Sequence, residues 1–225
     1  MRVLVTAGAA GIGKAIADTF LRHGAKVHVC DVDDAALQQA NPSISKSKAD
    51  VASPADVDRL FEDVRKNLGG LDVLVNNAGI AGPTAKVEDI RPEDWDRCIA
   101  VDLNGMFYCT RKAMPMLKAA GGGSIINLSS IAGRLGFPLR TPYAAAKWAV
   151  VGFTQSLAAE VLDANILVNA IVPSTIDTPA NRAAMPTADF SKWPTPAQIA
   201  ETVAFLASPE NTLTTGTLVP VYGRS

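Results

Sequence analysis

A chain of 225 residues, 48% hydrophobic and 19% charged, is long enough to bury roughly 70–75% of its unfolded surface in one domain without staples. Its net charge is −1, with 21 Lys and Arg spread along the chain, which excludes the basic stripe of a nucleic-acid binder. The start Met-Arg-Val-Leu-Val lacks the features of a signal peptide, no apolar run reaches about 18 residues, and Cys30, Cys98 and Cys109 are an odd number; a reduced, soluble, cytoplasmic protein with no membrane contact is expected.

In chain order, short β-branched runs over residues 3–5, 26–30, 71–75, 124–128, 166–172 and 218–221 read as strands. Most are apolar throughout, as strands covered on both faces must be. Helical patterns fill residues 14–23, 35–39, 54–68, 92–119, 142–162 and 196–207, several opened by proline and closed by glycine or a polar turn. The alternation predicts an α/β fold: a single-domain Rossmann fold over residues 1–225, with a doubly wound parallel sheet of about seven strands and right-handed crossovers. Residues 173–195, rich in proline and mixed in polarity, break the rhythm just after a strand end, where ligands bind in such folds. They are expected to form a substrate lid.

The first strand runs into Thr6-Ala7-Gly8-Ala9-Ala10-Gly11-Ile12-Gly13-Lys14. Glycines at a strand-to-helix turn let the backbone approach a pyrophosphate, which the free N–H groups and dipole of the helix start stabilise. Asp31 closes the second strand, 18 residues beyond Gly13. A carboxylate there accepts both adenine-ribose hydroxyls and repels a 2′-phosphate, so NAD(H) is preferred over NADP(H); neither Ala10 nor Val32 supplies a cation for that phosphate.

Tyr143 and Lys147 are four residues apart in an alanine-rich helix, so they share one face. Taken alone, such a pair reads as an ordinary helix surface with an amphipathic lysine lying over an aromatic ring. The chain has only two histidines, His23 and His28, both far from this helix in sequence, and no C-x-x-C pair. A histidine-based mechanism is therefore disfavoured, and no metal site is expected.

Taken together, the glycine turn, Asp50-Val51, Asn76-Asn77-Ala78-Gly79, Ser130, and Tyr143 with Lys147 follow the order and spacing of the short-chain dehydrogenase/reductase family, which the chain resembles over nearly its whole length. The resemblance implies hydride transfer between nicotinamide and a small carbonyl or secondary alcohol. In it Tyr143 is the acid/base, Lys147 supports it and binds the nicotinamide ribose, and Ser130 holds the substrate oxygen. It also implies cofactor contacts from Thr6, Gly8, Gly11, Ile12, Gly13, Asp31, Asp50, Val51, Asn77, Ala78 and Gly79, and from Pro173, Ile176 and Thr178 beside the lid. The chemistry is reasonable: a cation about 4 Å from a phenolate, at an effective dielectric of about 20, stabilises it by roughly 4 kcal/mol. Burial works against that gain.

Two departures from the family pattern stand out. Its usual glycine after the threonine is Ala7 here, with glycine at position 8. In Val101-Asp102-Leu103-Asn104-Gly105, Asp102 replaces the asparagine that serves as fourth catalytic residue, supporting a water in a proton relay through the lysine. An aspartate can still accept from such a water, but it adds charge beside Lys147.

The segment around Thr175, Asp177, Asn181-Arg182, Met185-Pro186, Phe190 and Trp193 resembles the lid of dihydropteridine reductases, NADH-dependent members of the same superfamily. An alternative activity is thus reduction of a quinonoid dihydropterin, with Phe190 and Trp193 covering its flat ring. A further alternative is an NAD-sensing module without turnover, which Asp102 favours and the Ser130, Tyr143, Lys147 set opposes. Helical residues 92–119 and 142–162 are apolar over more faces than one sheet covers, so a homo-oligomer, a tetramer or dimer, is expected.

Overall fold

The computed structural model describes residues 1–224; Ser225, the last residue of the expected domain, lies outside them. Strand β1 (Arg2–Thr6) turns into α1 (Gly11–Arg22), followed by β2 (Lys26–Asp31), α2 (Asp34–Gln39), β3 (Ser45–Lys48), α3 (Pro54–Leu68) and β4 (Val73–Asn76). The second half runs α4 (Pro92–Ile99), a π-helical turn (Ala100–Asn104), α5 (Gly105–Ala119), β5 (Gly123–Leu128), α6 (Thr141–Glu160), β6 (Ile166–Pro173), α7 (Pro179–Ala184), α8 (Pro196–Leu206) and β7 (Leu218–Val221). Local chemistry sets these limits. Ser53 caps α3 ahead of Pro54, and Gly69 ends it at φ 73°. Thr195 and Gln198 form a reciprocal capping box on α8.

The seven strands are all parallel, in the order β3-β2-β1-β4-β5-β6-β7. Helices α1 and α8 cover one face, where Ile16, Phe20, Ile199 and Val203 meet Val3, Val5 and Val29. On the other face Leu60, Phe61, Val64, Leu117 and Leu157, from α3, α5 and α6, pack on Leu4, Leu74 and Ile125. The chain leaves β3 at one edge and re-enters the sheet beside β1 as β4, so the order reverses between β1 and β4, and the turns after their carboxyl ends flank the resulting crevice.

The structure corrects the sequence reading in three places. Strand β3 completes the expected count of about seven but was not among the runs read as strands, because Ser-Lys-Ser-Lys has no apolar run; as an edge strand it pairs with β2 alone and exposes its lysines. The single helix expected over residues 92–119 is broken by the π turn, whose extra residue per turn rotates the chain and directs Asp102 inward, fully buried. The lid segment is also less irregular than expected: it contains α7 and a 3-10 turn (Phe190–Lys192). No helix of the described residues is long and apolar enough to cross a membrane.

Candidate active site

Residues 7–10 carry the chain from β1 into α1, and Gly8 in this segment and Gly13 just beyond it depend on the lack of a side chain. A Cβ on Gly13 would lie 2.0 Å from the Ala7 carbonyl oxygen, and one on Gly8 would lie 2.6 Å from Val29 Cγ1. Gly8 therefore seals the turn against the sheet, donating its N–H to the Cys30 carbonyl at 3.0 Å. Gly11, at φ 54°, has open space where a Cβ would stand. Ala7 has a φ of 47°, a left-handed conformation that explains the glycine usual at this position and that costs an alanine stability.

Helix α1 starts with no side-chain cap and no acidic residue in its first turn, so among the described residues no side chain caps its leading N–H groups and positive dipole end. With the open face of Gly11 beside them, these groups fit a dinucleotide pyrophosphate. At the far end of the crevice Asp31 is half-buried; its carboxylate accepts the Ala9 N–H at 3.3 Å and the Asp33 N–H at 3.2 Å. Lys48 neighbours it in strand register but is ion-paired with Asp34.

The expected cofactor residues divide into those that line the cleft and those that brace the turns around it. Asn77, Gly79, Ile12, Pro173 and Ile176 line one cleft of about 760 Å³. Thr6 is buried, and its hydroxyl accepts the N–H groups of Asn77 and Ala78, both at 3.0 Å. The Asn77 amide in turn donates to the carbonyls of Thr6 and Ala7, tying the glycine turn to the turn after β4. Val51 is buried against Gly105, and Asp50 pairs with Arg97 at 3.0 Å. Thr178 caps α7 through the Asn181 N–H.

At the centre of the cleft the first two turns of α6 present Tyr143 and Lys147 on one face. Lys147 Nζ lies 5.6 Å from the Tyr143 ring centroid and donates to the Leu128 carbonyl at 3.1 Å. Asp102 comes from the π turn behind them: its Oδ1 accepts the Ile80 N–H at 2.7 Å, and its Oδ2 stands 3.2 Å from Lys147 Nζ without hydrogen-bond alignment. Ser130 and Lys147 both line the cleft, and Ser130 caps the 3-10 turn after β5 through the Ala132 N–H at 3.2 Å. The structure thus brings Ser130, Tyr143, Lys147 and Asp102 to one end of the sheet.

Four features had no separate sequence signal. Ser129 Oγ donates to the Lys147 carbonyl at 2.9 Å, and a Cβ on Gly133 would lie 2.6 Å from that oxygen, so the loop after β5 is locked onto α6. Beneath it, Asn76 donates to Thr110 and Asn127, and Asn127 to Thr154, in a buried network joining β4 and β5 to α5 and α6. Arg140 lies over the Tyr143 ring, 5.0 Å from its centroid. Met185 and Asn181 from the lid line the cleft, whereas Phe190 and Trp193 do not; they pack on each other at 5.0 Å, with Arg182 over Phe190. No group of three or more His, Cys, Asp or Glu among the described residues could hold a metal ion.

Comparison with known proteins agrees with this geometry. Residues 1–189 match the profile of the family described as short chain dehydrogenase. The chain is 36% identical over 235 residues to a 3-oxoacyl-[acyl-carrier-protein] reductase of Thermotoga maritima, covering 98% of this chain and 95% of that one. It superposes with a TM-score of 0.91 on a 3-ketoacyl-(acyl-carrier-protein) reductase from Brucella melitensis complexed with NADH, at 33% identity and covering 100% and 98% of the two chains. A structure of ElxO with NADP bound gives 0.89 at 29% identity, covering 99% and 97%. The chain therefore belongs to the short-chain dehydrogenase/reductase family, whose members are oxidoreductases acting on CH–OH and C=O groups.

Proposed function

We propose that this protein is an NAD(H)-preferring oxidoreductase that interconverts a small carbonyl compound and a secondary alcohol, with Tyr143 as acid/base. The observation that carries the reading is the convergence of Ser130, Tyr143 and Lys147 in the cleft that also takes in Ile12 and Asn77, beside the glycine turn. When bound there, the nicotinamide supplies or takes the hydride. Tyr143 gives its phenolic proton to the carbonyl oxygen as charge develops on it, or takes the alcohol proton in reverse. Ser130 donates a hydrogen bond to the same oxygen, so two donors meet the developing negative charge. Lys147 holds a positive charge behind the phenol, and Asp102 holds Lys147 in place.

Asp31 supports the preference for NAD(H), since a second anion at its position is repelled. Residues 173–195 act as the lid of this cleft, through Met185 and Asn181. We further propose a homo-oligomer, supported by exposed aromatics on the helices that carry the site: Trp95 on α4, Phe107 on α5 and Trp148 on α6 are 39%, 46% and 51% exposed. A reducing cytoplasm suits the three buried, unpaired cysteines.

The test is NADH oxidation by wild type and Tyr143→Phe across aldehydes, ketones and oxo acids. Turnover by wild type and a loss of about 10²–10⁴-fold in the variant, with NADH binding kept, is the expected result. Variant turnover within a few-fold of wild type rules out the tyrosine mechanism.

A further inference from the structure

Among the described residues two charged side chains line the catalytic cleft, Arg140 and Lys147, and both are cations; no acidic side chain among them lines it. Lys147 has Asp102 behind it at 3.2 Å. Arg140 has no carboxylate among the described residues: its guanidinium donates once, from Nη1 to Thr84 Oγ1 at 3.0 Å, and otherwise lies over the Tyr143 ring. The lid's Arg182, by contrast, is held by Asp177 through two hydrogen bonds. The unmatched charge of the cleft is therefore Arg140.

Its position in the fold is unfavourable for the isolated chain. Arg140 is the N-cap residue of α6, the positive end of a 20-residue helix with no acidic residue in its first turn. A cation there opposes the helix dipole. Backbone strain sits next to it as well, because Leu139 has a φ of 64° while its carbonyl accepts the Ala85 N–H at 3.1 Å. The guanidinium of this half-buried residue thus lies over the phenol ring, in a cleft also lined by Ile80, Ile131, Phe137 and Met185. Beside apolar walls an ionic contact is stronger than in open water. The free edge of the guanidinium matches the two oxygens of a carboxylate in a planar, bidentate pair.

We propose that Arg140 is the carboxylate clamp of the substrate cleft, so that the compounds turned over are hydroxy or oxo acids whose carboxylate lies a few atoms from the reacting carbon. This rests on the oxidoreductase reading above. With the guanidinium carbon 5.0 Å from the Tyr143 ring centroid, the anion belongs to the same small molecule whose oxygen meets the phenol. Bound there, it neutralises Arg140 and fixes the carbonyl relative to Tyr143 and Ser130.

Two measurements at pH 7 test this, one of which needs no turnover. In the first, NADH-dependent reduction of 3-oxobutanoate is compared with that of its methyl ester. Wild type is expected to favour the acid by at least about tenfold in kcat/KM, since a hydrogen bond to a charged partner is worth that much or more. Arg140→Gln should bring the ratio towards 1, and Arg140→Lys should restore part of it. In the second, butyrate and butyramide are titrated into the protein saturated with NADH, followed by nicotinamide fluorescence. Butyrate should bind at least about tenfold more tightly than the amide, and Arg140→Gln should remove the difference. Turnover of the ester with no preference for either carboxylate overturns the clamp and leaves the oxidoreductase reading standing. No turnover, with Arg140-dependent butyrate binding, keeps the clamp and defeats that reading. An equal loss for acid and ester in Arg140→Gln, with the ratio unchanged, also overturns the clamp and leaves Arg140 as a loop tie to Thr84.

Discussion

Asp102 Oδ2 stands 3.2 Å from Lys147 Nζ, with side chains only 0% and 5% exposed, so the lysine that backs Tyr143 is itself backed by a carboxylate. The pair opposes two requirements of the site. A buried lysine needs a counter-charge, yet each counter-charge reduces the field the cation exerts on the phenol. Asp102→Asn keeps an oxygen for the Ile80 N–H and removes the negative charge. Alcohol oxidation at pH 7 is expected to rise by about 3–10-fold in kcat/KM. Asp102→Ala leaves the Ile80 N–H unpartnered and the buried lysine without its counter-charge, and should cost roughly 3–5 kcal/mol in urea unfolding. Equal kcat/KM for wild type and Asp102→Asn would show that the carboxylate only holds structure.

The glycine turn yields two substitutions of opposite sign. Ala7→Gly relieves a left-handed alanine at φ 47° and should stabilise the fold by up to about 1 kcal/mol, although Ala-to-Gly changes usually destabilise. Gly13→Ala puts a Cβ 2.0 Å from the Ala7 carbonyl and should abolish NADH binding by displacing the turn. Thermal midpoints and NADH fluorescence titrations check both. A lower midpoint in Ala7→Gly refutes the strain account.

Cofactor choice is expected to depend on Asp31. With its carboxylate at the end of β2 replaced in Asp31→Ala, the preference for NADH over NADPH should fall by about tenfold or more, mainly through a lower KM for NADPH. A preference ratio that does not move would place the discrimination elsewhere on the crevice.

His28 ties acid stability to the edge strand. Burial pushes its imidazole down to about 4, with Asp63 partly opposing the shift, and the ring nitrogens bond Ser45 and Ser47 of β3. Below about pH 6.5 the unfolded chain takes up a proton that the folded chain refuses until about pH 4. This contribution is therefore whole above about 6.5 and is lost as pH falls towards 4, amounting to roughly 3 kcal/mol. Urea midpoints between pH 7 and 5 should slope less in His28→Leu than in wild type, and parallel slopes would contradict the assignment.

The sequence by itself determined the alternation of strands and helices, because fully covered parallel strands must be apolar throughout and amphipathic helices must repeat every three to four residues. It also set the glycine turn at the first βα junction and the Tyr143 and Lys147 pair, since both depend on spacing within one local element. Strand β3 was out of reach: Ser-Lys-Ser-Lys acquires its conformation from the free edge of β2 and from His28 beneath it, which are non-local contacts. The π turn was equally invisible, because residues 92–119 keep an ordinary helical pattern and only packing of α4 and the π turn against α6 decides where the extra residue goes. Tertiary structure alone set Asp102 against Lys147, laid Arg140 across Tyr143 and turned Phe190 and Trp193 onto each other, away from the cleft. Each of these pairings joins side chains from separate loops or elements, or depends on a bend between them. Local propensity fixes neither that approach nor the charge that results.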